Sequence, residues 1–144
     1  MPQACYRKLR KYKYQLVHEY QHDAAIKGYD VKTPYLNLTP EGELIIKNGY
    51  AWDGPSGPTL DTLNFMRGSL VHDALYQVIR MEKIPYAHKD HADRLLRDIC
   101  RQDGMSKLRS WIVYQAVKYF GGSAARPGTD KPDEIICVPC GPPD

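Results

Sequence analysis

The chain has 144 residues, of which 42% are hydrophobic and 26% charged, a composition typical of one globular domain with a single core. Its formal net charge of +3 is too small to indicate a nucleic-acid partner. No apolar run approaches the ~18 residues that a transmembrane helix needs, and no apolar stretch follows the basic N-terminal residues. We therefore expect no signal peptide, and a location in the cytoplasm or in a particle assembled there.

The N-terminal part of the chain has the patterns of β-structure. In residues 11–20 (KYKYQLVHEY) apolar and polar side chains alternate, and this period of two predicts a strand. Residues 35–46 (YLNLTPEGELII) predict a hairpin in which Pro-Glu-Gly supplies the turn. Across this hairpin, four aliphatic side chains are expected to face one another: Leu36, Leu38, Leu44 and Ile46.

The segment HEYQH at 18–22 matches HExxH, a zinc-protease signature. That chemistry needs a helix, because only there do His18 and His22 lie one turn apart and share one ion. In a strand the same four-residue spacing covers roughly 13 Å. The alternating pattern around the motif predicts a strand, and Asp23 adds a charge where a zinc helix would be apolar. A zinc peptidase would therefore require a helix over residues 15–25, against this pattern.

A loop and three helices are expected after the strands. The loop, residues 48–61 (NGYAWDGPSGPTLD), is rich in Gly and Pro and too broken for regular structure. Pro85 is expected to end the first helix. The helices are predicted over residues 63–82, 88–102 and 105–120.

The last part of the chain carries weaker signals. The tail from Gly121 is rich in Gly, Pro and Ser and is expected to be irregular. Its CVPC motif at 137–140 is a lone CxxC, which favours two reduced thiols or a tail disulfide over a zinc site. The third helix carries one stripe made of Leu108, Ile112, Ala116 and Tyr119.

The order of these elements predicts the fold class. Strands ahead of helices indicate an α+β fold in a single domain, residues 1–144. We expect a β-rich part (1–50), a loop with paired helices that carry the site (51–102), and a further helix with an irregular tail (103–144).

The segment SLVHDALYQ (69–77) places ionisable side chains in an otherwise apolar helix. His72 and Tyr76 are four residues apart and share a face, whereas Asp73 lies about 100° further round the helix. The adjacent His and Asp therefore serve different partners. One economical use is the histidine as a base and the aspartate as an oxygen ligand for a hard cation, helped by Asp53 and by carbonyls of the preceding loop.

The following helix supplies a partner for the histidine. If the first two helices pack antiparallel, Asp93 can reach the far nitrogen of His72. A carboxylate in that position fixes the tautomer of the imidazole and supports the imidazolium, as it does in hydrolytic triads.

Two family resemblances rest on these residues. YAWDGPSGP, HDALY, IPY and HAD, in that order, resemble the secreted-type phospholipase A2, and most closely the disulfide-free phospholipase domain of parvoviral capsid proteins. This resemblance covers about residues 50–100. VHDALYQ, with AD on the next helix, also resembles domain of unknown function 1353, a family of phage and prophage proteins with β-structure ahead of the helices.

The phospholipase resemblance implies two antiparallel helices that carry the site, and Ca²⁺-dependent hydrolysis of phospholipid esters. It implies that His72 deprotonates a water, that Asp93 orients His72, and that the hydroxyl of Tyr76 bonds Asp93. The sequence departs from the family at Trp52 and Asp53, where a glycine is preferred, and in a longer spacing from loop to histidine. The implied Ca²⁺ ligands are Asp73, Asp53, Gly54 and Gly57.

Alternatives remain open at this stage. His72, Tyr76 and Asp93 can equally form a buried hydrogen-bonded cluster that locks two helices together. The protein would then be a non-enzymatic virion component, in a tail or capsid accessory position, with a degenerate phospholipase-like core. The expected partners are accordingly a phospholipid membrane surface, which the basic N-terminal stretch and Trp111 would contact, or phage virion proteins. The expected location is the host cytoplasm or the virion.

Overall fold

The structure is a computed structural model, which describes residues 4–7, 14–52, 63–125 and 135–138. The order of elements is α+β, as predicted: short antiparallel strands come first and three long helices follow. The strands are β1 (Ala4–Arg7), β2 (Tyr14–Gln15), β3 (Tyr20–Asp23), β4 (Val31–Lys32), β5 (Leu36–Leu38), β6 (Glu43–Ile46), β7 (Ala51–Trp52) and β8 (Ile135–Val138).

The strands form three small sheets. The largest has the order β3-β6-β5-β4, and two further pairs join β2 to β7 and β1 to β8. The predicted hairpin is confirmed as β5 and β6, whose aliphatic side chains are buried and paired as Leu36 with Ile46 and Leu38 with Leu44. At its turn Gly42 has φ +95°, and a Cβ there would lie 3.1 Å from the backbone nitrogen of Ile26. Glycine therefore suits this turn on both counts.

The predicted strand over 11–20 is wrong in its extent. Within its described part, only Tyr14–Gln15 and Tyr20 belong to strands, and residues 16–19 lie between them. The chain changes partners here: Leu16 bonds the backbone of Tyr50 and Gly49, whereas β3 pairs with β6. His22 lies in β3 and His18 in a bend, so residues 15–25 do not form the helix that a zinc peptidase needs. The zinc-peptidase hypothesis is therefore wrong.

The tail also differs from the prediction. Residues expected to be irregular form β8, which pairs antiparallel with β1, and a short helix, α4 (Gly122–Ala125). The β8 sequence IICV is rich in β-branched residues, so it suits a strand despite the Gly and Pro around it. Cys137 lies in this strand opposite Cys5, and Cys140 lies outside the described residues. Cys100 is a free thiol, and burial raises its pKa to about 12.

The helices lie close to their predicted positions. They are α1 (Leu63–Arg80), α2 (Lys89–Gln102) and α3 (Lys107–Phe120), and a 3₁₀ turn (Tyr86–His88) precedes α2. The first helix ends at Arg80, ahead of Pro85, and Glu82 then takes a positive φ of 60°. Ser106 caps α3 by accepting a hydrogen bond from the backbone of Arg109. No helix in the described ranges is long and apolar enough to cross a membrane.

The packing of α1 against α2 positions the site. Arg67 near the start of α1 pairs with Asp103 just after α2, so the two helices run antiparallel as predicted. Gly68 allows them to approach closely, since a Cβ there would lie 2.9 Å from the sulfur of Cys100. The other face of α1 packs on the aliphatic side chains of the strands, in a core that contains Leu36, Leu38, Leu44, Ile46, Val71, Leu75, Val78 and Ile79.

The apolar stripe predicted on the third helix is present, and its orientation follows from the burial of its residues. The stripe made of Leu108, Ile112, Ala116 and Tyr119 faces outward, where all four residues are exposed. Ser110 and Val113 lie on the buried side instead, and Val113 packs with Phe65 and Leu96. Both faces of α3 therefore carry apolar side chains.

Candidate functional site

The side chains of His72 and Asp93 meet between α1 and α2. Nε2 of His72 lies 2.7 Å from Oδ1 of Asp93, and the two residues are only 5% and 0% exposed. The antiparallel packing of the helices brings together residues that are 21 positions apart in the chain. The expected contact is therefore present, while the chemical roles of both residues stay predictions.

Tyr76 completes the group that the sequence singled out. Its hydroxyl donates to the same Oδ1 of Asp93 at 2.6 Å, and its ring lies 4.0 Å from that of His72 between centroids. Burial and the nearby Asp93 raise the pKa of Tyr76, so the phenol keeps its proton and remains a donor. Gly121 makes room for this hydroxyl, because a Cβ at Gly121 would lie 2.5 Å from it.

Lys89 is a member of the cluster that the sequence did not reveal. Its Nζ donates to Oδ2 of Asp93 at 2.7 Å and to the carbonyls of Val117 and Lys118 at 3.1 and 3.3 Å. The residue is buried, with 8% exposure. Lysine and aspartate four residues apart are also the usual pair of a solvent-exposed helix face, so the spacing alone gave no signal.

The charges of the cluster compensate one another. Burial tends to raise the pKa of Asp93, but hydrogen bonds from His72, Lys89 and Tyr76 outweigh it and lower this pKa below its usual value. Burial likewise opposes the imidazolium of His72, yet the carboxylates of Asp73 and Asp93 outweigh it and raise the pKa of His72. Asp93 is therefore ionised at neutral pH. The imidazolium of His72 loses its proton at a pH above the ordinary value of 6.5.

The second nitrogen of His72 has a different environment. Because ionised Asp93 can only accept hydrogen bonds, Nε2 carries the proton, and Nδ1 holds the lone pair in the neutral imidazole. Nδ1 lies 3.8 Å from Oδ1 of Asp73, too far for a direct hydrogen bond. The side chain of Asp73 is 35% exposed. Nδ1 is therefore the ring nitrogen that can accept a proton from water.

The predicted metal ligands are described only in part. Asp73 projects from α1 beside the histidine, as expected, whereas Asp53, Gly54 and Gly57 lie outside the described residues. Within the residues that the structure describes, no three His, Cys, Asp or Glu side chains are arranged to hold a metal ion. The prediction of no regular structure over 48–61 is wrong at Ala51–Trp52, which form β7, and Trp52 lies close to the site. The indole of Trp52 donates to Ser69, one turn before His72, at 3.1 Å.

Comparison with known protein families identifies a match that includes the site. Residues 29–117, more than half of the chain, match a family described as protein of unknown function, DUF1353. The chain belongs to the DUF1353 family. The predicted resemblance to this family is confirmed. The matched residues include His72, Tyr76, Lys89 and Asp93. Searches of curated proteins and of solved structures give no match, so the resemblance to phospholipase A2 stays a prediction.

Proposed function

We propose that this DUF1353 protein is a phage- or prophage-encoded, Ca²⁺-dependent hydrolase of phospholipid esters. The observation that carries the proposal is the orientation of His72. Its Nε2 is held by buried Asp93 at 2.7 Å, and Nδ1 is directed toward the part-exposed carboxylate of Asp73. A buried carboxylate, an oriented imidazole and a free ring nitrogen are the parts that general-base activation of water requires.

The proposed reaction uses each described residue in a defined way. Nδ1 of His72 takes a proton from water as the water oxygen forms a bond to the ester carbon. The bond from that carbon to the alcohol oxygen then breaks, and the proton passes from His72 to the departing alcohol. Asp93 stabilises the imidazolium that exists between these steps. Tyr76 and Lys89 hold Asp93 in position through both of its oxygens.

A Ca²⁺ ion is part of the proposal. Asp73 would supply one carboxylate, and Asp53 with the carbonyls of Gly54 and Gly57 would supply the remaining protein oxygens. The carboxylate of Asp73 fits this role, because it is a hard oxygen ligand and its side chain is 35% exposed. A bound Ca²⁺ would polarise the ester carbonyl and stabilise the negative charge that develops on its oxygen.

One observation favours a second candidate function. Asp93 accepts hydrogen bonds from three side chains, and His72 is only 5% exposed. A fully satisfied buried network of this kind also serves to lock helices together. The second candidate is therefore a non-enzymatic virion protein, a tail or capsid accessory component, that uses the cluster for stability alone.

The test is release of fatty acid from vesicles that contain anionic phospholipid, in Ca²⁺ and in excess chelator. We expect release in Ca²⁺ that is lost in the chelator and in His72→Gln. His18→Gln is the matched control, since His18 is exposed and outside the cluster; it should retain full release. If the folded protein releases nothing under either condition, and His72→Gln only lowers thermal stability, the cluster is a structural lock and the hydrolase proposal is wrong.

A further inference from the structure

The outward face of α3 carries large apolar side chains over three turns, with Gln115 as a polar interruption between Ile112 and Tyr119. Leu108, Trp111, Ile112 and Tyr119 are 68%, 54%, 51% and 70% exposed. At about 100° per residue these side chains fall within one stripe of the helix surface, roughly 16 Å long from first to last. The opposite face of α3 is buried against α1 and α2. A helix that is apolar on both faces normally has a partner on each of them.

Cations line one side of this stripe. A groove of about 780 Å³ runs between the end of α2 and the start of α3, and its walls include Leu108 and Trp111. Arg97, Arg101 and Lys107 line it as well, together with one acidic side chain, that of Asp98. Arg97 pairs with Asp98 at 3.0 Å, but neither Arg101 nor Lys107 has an acidic partner among the described residues. The groove thus combines exposed apolar area with net positive charge.

We infer that the α3 stripe and this groove form a docking surface for a membrane that contains anionic phospholipid. Tryptophan and tyrosine are the side chains that favour the headgroup region, while leucine and isoleucine enter the apolar layer beneath it. Arg101 and Lys107 would lie at the level of the lipid phosphates, where each cation gains attraction from anionic lipid. The choice of lipid as occupant rests on the proposed function, because a lipid hydrolase has to bind at the surface of its substrate.

The charges argue against a second copy of this chain as the occupant. In a two-fold dimer the same surface faces itself, so the excess of three cations over the single Asp98 in the groove would be present on both sides of the interface. Juxtaposed like charges cost free energy and disfavour such an interface. An anionic surface instead complements these cations.

The test is binding to vesicles, measured by co-sedimentation in excess chelator so that no Ca²⁺-dependent hydrolysis contributes. Vesicles of phosphatidylcholine alone are compared with vesicles that also contain phosphatidylglycerol. We expect binding to the anionic vesicles only, weakened by added salt, with a blue shift of tryptophan fluorescence as Trp111 leaves water. The Arg101→Glu/Lys107→Glu double variant and Trp111→Ser should each weaken binding by at least about tenfold.

Matched controls separate this surface from general charge or hydrophobicity. Lys27→Glu/Lys32→Glu changes the charge equally at two exposed lysines of the β-rich part, and Val17→Ser removes another exposed apolar side chain. Both controls should bind as the wild type does. Absence of binding to anionic vesicles, or binding that survives both α3-surface variants, would overturn the inference. A dimer in sedimentation velocity that Trp111→Ser dissociates would overturn it too, since a second copy would then cover the stripe.

The experiments distinguish failure of the docking-surface inference from failure of the hydrolase proposal. Binding in chelator without any fatty-acid release in Ca²⁺ would support the docking surface and contradict the hydrolase. Release without measurable binding to the same vesicles would support the hydrolase and contradict the docking surface.

Discussion

Nζ of Lys89 lies 2.7 Å from Oδ2 of Asp93, so the carboxylate that holds His72 carries its own buried counter-ion. The same amine donates to the carbonyls of Val117 and Lys118 near the end of α3. Asp93 thereby connects all three long helices. It contacts α1 directly through His72 and Tyr76, and it reaches α3 through Lys89.

Replacing Asp93 by Asn should destabilise the protein strongly. The change keeps the shape of the side chain but leaves Lys89 as a buried charge without its counter-ion, which typically costs about 3–5 kcal/mol. The free energy of unfolding in urea measures this loss. Asp98→Asn is the control, because Asp98 pairs with Arg97 at the surface of the same helix; it should cost less than about 1 kcal/mol. Equal losses in both variants would contradict a special role of the buried pair.

The stability that Asp93 contributes should depend on pH in the acid range. Its pKa is lowered in the folded protein, so its contribution is present above the ordinary value of 3.8 and is lost as the pH falls through the lower, folded value. The difference in unfolding free energy between wild type and Asp93→Asn should accordingly shrink in strong acid, at pH values well below those at which His72 changes its charge. A difference that does not change across the acid range would refute this assignment.

Removing the hydroxyl of Tyr76 should have a smaller effect. Tyr76→Phe deletes one hydrogen bond to an ionised carboxylate, worth about 1.5–3 kcal/mol when buried, while Asp93 keeps His72 and Lys89. Tyr114→Phe provides the comparison, since the hydroxyl of Tyr114 donates at 2.7 Å to part-exposed Asp90. Thermal and urea unfolding should rank Tyr76→Phe as clearly the more destabilising of the two changes. The opposite ranking would show that the buried network contributes less than its geometry implies.

A single methyl group at Gly121 should disturb the cluster from the α3 side. The Cβ of Gly121→Ala would lie 2.5 Å from the hydroxyl of Tyr76 and 2.6 Å from the carbonyl of Val117, so one of these groups has to move. Overpacking of this kind costs about 1–3 kcal/mol. At neighbouring Gly122 the nearest atom is 3.4 Å away, so Gly122→Ala should be tolerated. Similar unfolding midpoints for the two variants would rule out the tight contact.

The proposed chemistry should follow the protonation of His72. The pKa of His72 is raised above 6.5, and only the neutral imidazole can accept a proton from water. kcat/KM for fatty-acid release should therefore increase with pH through this raised pKa. The stability that the imidazolium contributes runs the other way: it is fully present below pH 6.5 and is lost as the pH rises through the folded pKa. A rate that falls over this interval would exclude His72 as the base.

Much of the fold was predictable because its signals are local. The hairpin of β5 and β6 and the three helices follow from periodic patterns within single segments. Even the contact of His72 with Asp93 follows once two neighbouring helices are taken as antiparallel. The pairing of β1 with β8 joins opposite ends of the chain, and no local pattern could reveal it.

The burial of Lys89 and the outward orientation of the α3 stripe were not predicted, for a related reason. Lys89 is buried because the end of α3 covers it and supplies two carbonyls, and this depends on how α3 packs on α2. The stripe that contains Leu108 and Ile112 was recognised, but periodicity alone cannot say whether an apolar stripe faces the core or a partner. Only the packed structure distinguishes these cases.

The pairing of β1 with β8 also determines when the domain can be complete during synthesis. The ribosome delivers β1 first, yet its partner strand emerges only after every other described element has been made. The hairpin and the helix pair can form earlier, because their contacts are closer in sequence and close shorter loops. The backbone of β1 therefore stays unpaired on the nascent chain until β8 has been synthesised. Aggregation through unpaired strand edges is most favoured during that interval.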